Sequence, residues 1–255
     1  MFGSDSSAAN SIITNFAGGS PTLGVFFQDH STTGTAEVET LGGGATMFSD
    51  FSTGGTAQFN TDTGGTVDFS GSEGPAGDNK LTAGSIAGAG TYHLGANQLT
   101  VLSGNVSGLI DGLGGALVKA GKGTLTLSGA GNTYSGGTIL EQGTLELDAI
   151  GAAGPGAITF ASIGKTKATL EIDNAALSAH HFGNSTDNFG KHDFVDLTGL
   201  RFHAGATATY HKANHNLTVH SGSATDTLTL LSPHGTHFAA ASDHHGGTDV
   251  FLFFA

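Results

Sequence analysis

The sequence lacks cysteine and has only 4 prolines, against 43 glycines in 255 residues. The absence of cysteine excludes a disulfide-stapled scaffold and fits a protein exported from a bacterium, in which stacked strands replace disulfides. Glycine-rich disorder usually carries much proline and little apolar residue, whereas 37% of this chain is hydrophobic and 17 residues are Phe. The composition therefore predicts a folded chain of many short strands joined by tight turns.

Positive charge is scarce as well. Eight Lys and Arg residues stand against 21 Asp and Glu residues, which gives a formal net charge of −13. Nucleic acid and an anionic membrane surface both require a basic patch or stripe, so neither is expected as a partner.

Long apolar runs are also missing. No stretch approaches the ~20 residues of a membrane-spanning helix, so no membrane span is expected. The N-terminus, Met1 to Ser7, has neither the basic nor the apolar region of a secretory signal peptide. If the chain is exported, we expect the address to lie elsewhere.

A repeat of 21 residues is the clearest pattern that is present. Phe27, Phe48 and Phe69 are spaced by that interval, and the same offset relates Val38 to Phe59 and neighbouring Ser, Thr and Gly positions to their counterparts. Repeats of this length indicate a solenoid, in which each unit buries its apolar face by stacking on the next.

Residues 56–61 and 66–70 alternate apolar and polar side chains between pairs of glycines, which is typical of strands and turns. One repeat is therefore about one coil of a parallel β-helix, with Phe27, Phe48 and Phe69 as an interior aromatic ladder. Residues 12–178 would make roughly eight coils, a rod about 40 Å long at the ~4.8 Å spacing of strands. The predicted fold class is all-β.

Two stretches resemble the passenger domains of bacterial autotransporters. The first runs from Val25 to Ser70, and the second contains Gly115-Ala-Leu-Val-Lys-Ala-Gly-Lys-Gly-Thr-Leu-Thr-Leu-Ser-Gly and Gly143-Thr-Leu-Glu-Leu. The second stretch is similar to the passenger-associated repeat. The resemblance covers about residues 20–150 and implies a right-handed parallel β-helix exposed at the cell surface.

The composition changes near residue 179, since 11 of the 13 histidines lie at or after His180. We therefore predict a β-helix over 1–178 and a His-rich C-terminal β-module over 179–255. The module resembles the C-terminal parts of proteins exported by type I secretion. That resemblance implies an export signal in an acidic residue followed by apolar ones, formed here by Asp249, Val250, Phe251, Leu252, Phe253 and Phe254.

Two histidine pairs are weak candidates for a metal site: His180 with His181, and His244 with His245. Imidazole nitrogens bind Zn or Ni, but no cysteine and no closed four-ligand spacing accompany them. The favoured interpretation places these histidines at solvent-facing positions, with no metal and no cofactor. Below about pH 5.5 their protonation would offset the net negative charge and favour association.

The acidic residues look scattered along the chain, and no Gly-x-Ser-x-Gly elbow occurs. Glu37 and Glu39 would share a strand face without a nearby basic residue. No catalytic residue is therefore predicted, and the chain is not expected to be an enzyme.

Two hypotheses for function remain open. The first is a secreted structural or interaction protein of the bacterial surface or extracellular matrix. It would act as an adhesin that contacts polysaccharide, or it would associate with itself head to tail into fibres through two open ends of the β-helix. The alternative is a β-helix enzyme, a lyase or hydrolase, that acts on polysaccharide.

Overall fold

The computed structural model describes residues 1–16, 24–161, 164 and 166–253. The architecture is an all-β solenoid of about eight turns with coils of roughly 21 residues, as the repeat predicted. The strands of the parallel coils are β1 (Ile12–Asn15), β2 (Val25–Phe27), β3 (Glu37–Thr40), β4 (Ala45–Asp50), β5 (Gln58–Thr61), β6 (Thr66–Ser72), β7 (Lys80–Gly88), β8 (Thr91–His93), β9 (Gln98–Val106), β10 (Leu109–Asp111), β11 (Ala116–Lys119), β12 (Thr124–Leu127), β13 (Thr138–Leu140), β14 (Gly143–Leu147), β15 (Ile158–Phe160) and β16 (Ala168–Ile172).

The remaining elements include one 3-10 helix, α1, and eight strands. They are α1 (Asn174–Ala176), β17 (Leu177–Ser178), β18 (His181–Asp187), β19 (Asp193–Leu197), β20 (Thr207–His211), β21 (Asn216–Ser221), β22 (Ala224–Leu230), β23 (Phe238–Ser242) and β24 (Thr248–Leu252). Within the described ranges, no helix is long and apolar enough to cross a membrane.

Three stacks of parallel strands form the sides of the solenoid. One is the five-stranded sheet β2-β4-β6-β8-β10. The second runs β1-β3-β5-β7-β9-β12-β14-β16-β19, and the third runs β7-β9-β11-β13-β15-β18. The long strands β7 and β9 begin in the third stack and bend into the second. Alternate residues are buried along strands of the parallel coils such as β4, β5 and β12, and the buried side chains form one apolar core.

Phenylalanines stack through the first coils. Phe27, Phe48 and Phe69 are at most 2% exposed. The ring centroids of Phe27 and Phe48 are 5.0 Å apart, and those of Phe48 and Phe69 are 4.7 Å apart, in near-parallel arrangements. Phe2 extends this stack at 4.6 Å from Phe27, a member that the 21-residue offset does not identify because Phe2 and Phe27 are 25 positions apart.

The C-terminal strands close one end of the solenoid. Strand β22 pairs with β18, and β24 pairs antiparallel with β19. Hairpin pairings join β22 to β21 and β21 to β20, a bridge joins Thr209 to His237, and β23 pairs with β24. Backbone pairing is therefore continuous from β18 round to β19, so the expectation of two open ends was wrong at this end. The predicted domain division after residue 178 stays a prediction.

The segment expected to carry an export signal forms the last strand. Val250 and Leu252 are buried, and Phe253 is 55% exposed. Phe254 lies outside the described residues. A role in export remains a prediction. The apolar residues of this segment are equally explained by burial, since a last strand that packs on the core needs them as well.

Candidate functional site

One lateral surface of the solenoid brings together polar, acidic and aromatic side chains that are spread over more than 120 residues of the sequence. We call it the ladder face: the outward side of β12, β14, β16, β19 and β24. Register places its outward residues in two parallel rows. The threonine–phenylalanine row contains Thr124, Thr144, Thr169, Phe194 and Phe251, and the acidic row contains Thr126, Glu146, Glu171, Asp196 and Asp249.

These rows follow from strand geometry. In β16, for example, Leu170 and Ile172 are buried in the core while Glu171 lies on the outside. The same inward–outward alternation recurs in β14 and β19, so each outward residue stacks on the equivalent residue of the next coil.

The acidic row places like charges side by side. Burial, together with the charges of Asp249, Asp243 and Glu171, raises the pKa of Asp196 to about 7, and Lys167 partly opposes the shift. Burial is also the largest cause of the raised pKa of Glu171, to which the charge of Glu146 contributes. Carboxylates this close to one another cannot all ionise without cost. The row therefore holds protons that isolated carboxylates would release.

Individual carboxylates of the row differ in their environment. The Thr126 hydroxyl donates a hydrogen bond of 2.6 Å to Glu146. Oδ1 of Asp196 is buried and has no hydrogen-bond partner among the described residues. The pKa of Asp249 is also raised, by burial first, while Lys167 and His244 oppose the shift.

Lys167 interacts with both rows: it contacts the ring of Phe194 in one, and its charge acts on Asp196 in the other. Its ammonium nitrogen lies 4.3 Å from the centroid of the Phe194 ring, a cation–π distance. The Phe194 ring in turn lies 5.7 Å from the Phe251 ring in a tilted arrangement. Both rings are only partly buried, so two adjacent aromatic surfaces reach solvent beside a lysine.

A cleft of about 310 Å³ lies at the edge of the ladder face, lined by Lys122, Gln142, Gly143, Thr144, Lys167 and Thr169. Lys122, Gln142 and Lys167 come from the same corner of successive coils, because each lies two residues before a threonine of the threonine–phenylalanine row.

A buried lysine lies beneath this cleft. Lys119 is 0% exposed. Its ammonium donates three hydrogen bonds of 2.9 Å, to the backbone carbonyls of Ala120, Gly121 and Gln142. Burial lowers the pKa of Lys119 to about 8. Gly143 has φ +75°, and a Cβ there would lie only 2.8 Å from the Lys119 nitrogen, so the glycine lets the cleft floor and the ammonium approach each other.

The four candidate metal-binding histidines do not come together as a site. His180 contacts Asp226 at 2.8 Å, and His181 contacts Thr227 at 3.1 Å. His244 and His245 are exposed in the turn before β24, where their charge acts on Asp249 and Glu171 respectively. In the part of the chain that the structure describes, no group of three or more His, Cys, Asp or Glu residues could hold a metal ion.

The acidic row and the basic cleft were both missed from the sequence. The carboxylates were interpreted as scattered, whereas Glu146, Glu171 and Asp196 are stacked on adjacent strands. A signal did exist: Leu-Glu-Leu-Asp at 145–148 recurs as Leu-Glu-Ile-Asp at 170–173, an offset of 25 residues.

Comparison with known proteins gives two matches. Residues 117–147 match the family model described as passenger-associated-transport-repeat, a segment that includes Lys119, Gln142 and Gly143. A part of the chain is 36% identical over 120 residues to a protein named adhesin BmaC autotransporter from Brucella suis biovar 1 (strain 1330). That alignment covers 43% of this chain and 3% of the relative, so the chain spans a small part of the relative's length. No solved structure gives a significant match.

The matched repeat and the relative named as an adhesin support a secreted or cell-surface location. Together with the observed solenoid, they support an autotransporter passenger-like β-helix.

Proposed function

We propose that this chain is an adhesin-like, non-enzymatic module of the bacterial surface or extracellular matrix, and that its ladder face binds polysaccharide. The observation that carries the proposal is the row in which threonine hydroxyls adjoin the partly buried rings of Phe194 and Phe251. Aromatic rings pack against the C–H faces of sugar rings, while hydroxyl, amide and carboxylate groups bond to sugar hydroxyls. A flat face with stacked rows suits a chain-like ligand that lies across several coils.

The comparisons support the adhesive part of the proposal. The matched relative is named as an adhesin, and the matched repeat is named for passengers. A non-enzymatic role also accords with the chemistry of the acidic row, where one oxygen of Asp196 is buried and therefore not presented to a substrate.

Binding and turnover can be measured in the same incubation. Purified protein is titrated with a panel of neutral and acidic polysaccharides, and new reducing ends and unsaturated products are assayed in each mixture. We expect saturable binding without product. Phe194→Ala with Phe251→Ala should weaken binding, whereas Phe26→Ala, a partly buried ring on the five-stranded sheet, should not.

A hydrolase is the second candidate, and Asp196 is the observation in its favour. A carboxyl group with a pKa of about 7 beside other carboxylates is the arrangement of a general acid in glycoside hydrolysis. Product formation that is lost in Asp196→Asn and Asp249→Asn would establish the enzyme and contradict the adhesive proposal.

A further inference from the structure

We propose that the cleft at the edge of the ladder face is a subsite for the carboxylate or sulfate group of an acidic polysaccharide. This inference rests on the proposed function of polysaccharide binding and adds the class of ligand. Lys122 and Lys167 would contact the anion directly, and Lys119 would contribute positive charge from beneath the floor.

Basic residues are concentrated at this cleft. The chain has only 8 Lys and Arg residues and a formal net charge of −13, yet two of those residues line this one cleft and a third lies below it. Such a concentration creates a local field opposite in sign to that of the whole molecule, which favours an anionic group there.

Lys119 lies directly under residues that line the cleft. Its ammonium is held by the Gln142 and Gly121 carbonyls, and Gln142 and Gly143 themselves line the cleft. Within the described ranges, its three hydrogen-bond partners are all neutral carbonyls and none is a carboxylate. The charge is thus not neutralised locally, and its field reaches the cleft through a low-dielectric floor.

The neutral side chains of the cleft provide hydrogen-bonding groups. Gln142 offers an amide, and Thr144 and Thr169 offer hydroxyl groups beside the lysines. Lys122 and Lys167 belong to coils two apart, a backbone separation of about 10 Å at the usual strand spacing. Their long side chains can therefore reach the same anion, while the rest of a glycan extends along the row toward Phe194.

The acidic row and Lys119 together set the pH dependence of this subsite, because the pKa of Lys119 is about 8 and its positive charge is more complete at lower pH. The acidic row lies two residues farther along the same strands, so its negative charge opposes an incoming anion. Glu171 is flanked by Glu146, Asp148, Asp243 and His245. Asp196 is flanked by Glu171, Asp243, Asp249 and Lys167, and the charge of His244 acts on Asp249. As pH falls from 8 to 5.5, Asp196 takes up a proton and the row loses negative charge, so anion affinity should rise.

The test is a calorimetric titration of the full chain with polygalacturonate, heparin and dextran, which carry carboxylate, sulfate and no charge respectively, at pH 5.5 and pH 8. Lys122→Ala with Lys167→Ala should weaken binding of the charged polymers about tenfold. Lys80→Ala with Lys212→Ala, which removes two exposed lysines elsewhere, should leave it within about twofold. Asp196→Asn should tighten binding at pH 8 more than at pH 5.5, because the pKa of Asp196 is about 7.

The outcomes distinguish this inference from the proposed function. Equal affinity for dextran and the charged polymers, or equal losses in the two lysine pairs, would overturn the anionic subsite while leaving a polysaccharide-binding module. Failure of every polymer to bind would overturn both. Circular dichroism of each variant confirms that the solenoid is intact.

Discussion

Asp196 and Asp249 lie directly opposite each other where β24 pairs antiparallel with β19. The last strand of the described chain therefore closes the solenoid with two carboxyl groups in apposition. Directly opposed like charges destabilise a strand pair when both are ionised. The closure is thus tighter when the pair carries a proton.

Protonation of this pair should make stability depend on pH. Because the folded state raises the pKa of Asp196 from 3.8 to about 7, its stabilising contribution is complete below the unfolded value and is lost as pH rises through 7. The free energy of unfolding should therefore fall between about pH 4 and pH 7. In Asp196→Asn this fall should be shallower, as urea denaturation at a series of pH values would show.

Asp62→Asn is the matched control, since Asp62 is exposed in a turn outside the acidic row. A control variant that flattens the pH profile as much as Asp196→Asn would assign the effect to net charge instead of to the strand pair.

Truncation of the aromatic stack should be costly. Phe48 is 2% exposed and contacts rings on both sides, so Phe48→Ala should lower the free energy of unfolding by about 3–5 kcal/mol. Phe51, which is partly exposed and stacks only on His30 among the recorded ring contacts, should tolerate alanine with a smaller loss. Equal losses at the two positions in denaturant titrations would contradict the stacked core.

The first three coils were predictable because their repeat is regular. Phe27, Phe48 and Phe69 keep one offset of 21 residues, and alternation of side chains identified the strands between them. Later coils change length: Gln58 pairs with Ser85, 27 residues on, whereas Ser85 pairs with Ser103, 18 residues on. A search at one fixed period cannot align such coils.

The ladder face was not predictable for related reasons. Its Glu146, Glu171 and Asp196 members follow a 25-residue period, and Asp249 joins through an antiparallel pairing that no repeat encodes. The burial of Lys119 was hidden because a lysine is almost never fully buried without partners, and its partners are backbone carbonyls that every sequence possesses.

Lys119 should stabilise the fold, because its ammonium joins the backbone carbonyls of Ala120 and Gly121 to that of Gln142 in the next coil. Lys119→Met keeps the apolar stem but leaves three carbonyl groups without their donor, which should cost about 1–3 kcal/mol. Lys122→Met, at an exposed position two coils below Lys167, should cost much less. Thermal denaturation of the two variants provides the measurement, and equal melting temperatures would contradict this stabilising role.

Self-association through strand edges should give pairs instead of long fibres. Strand β1 is paired with β3 alone in the described register, and Ile12 beside its free edge is 73% exposed, whereas the other end is closed by β22 and β24. Pairing of the β1 edges of two copies would be a two-fold contact, which closes on itself and does not propagate. Association should strengthen toward pH 5, because the magnitude of the net negative charge, formally −13 at pH 7, falls with pH.

Analytical ultracentrifugation at pH 5 and pH 8 tests this form of assembly. Ile12→Lys should abolish dimers, and Leu113→Lys, at an 89% exposed residue distant in sequence from the first coil, should not. Long filaments in electron micrographs of the wild-type chain would contradict the closed contact.

The location of polysaccharide binding is the central claim, and hydrogen–deuterium exchange tests it most directly. The full chain is exchanged with and without a saturating acidic polysaccharide, and protection is mapped by peptide. We predict protection in segments 121–126, 142–146, 166–171 and 193–197, with β2, β4, β6, β8 and β10 unchanged. Protection centred on the five-stranded sheet, or saturating binding with no protection of β14, β16 and β19, would contradict the account.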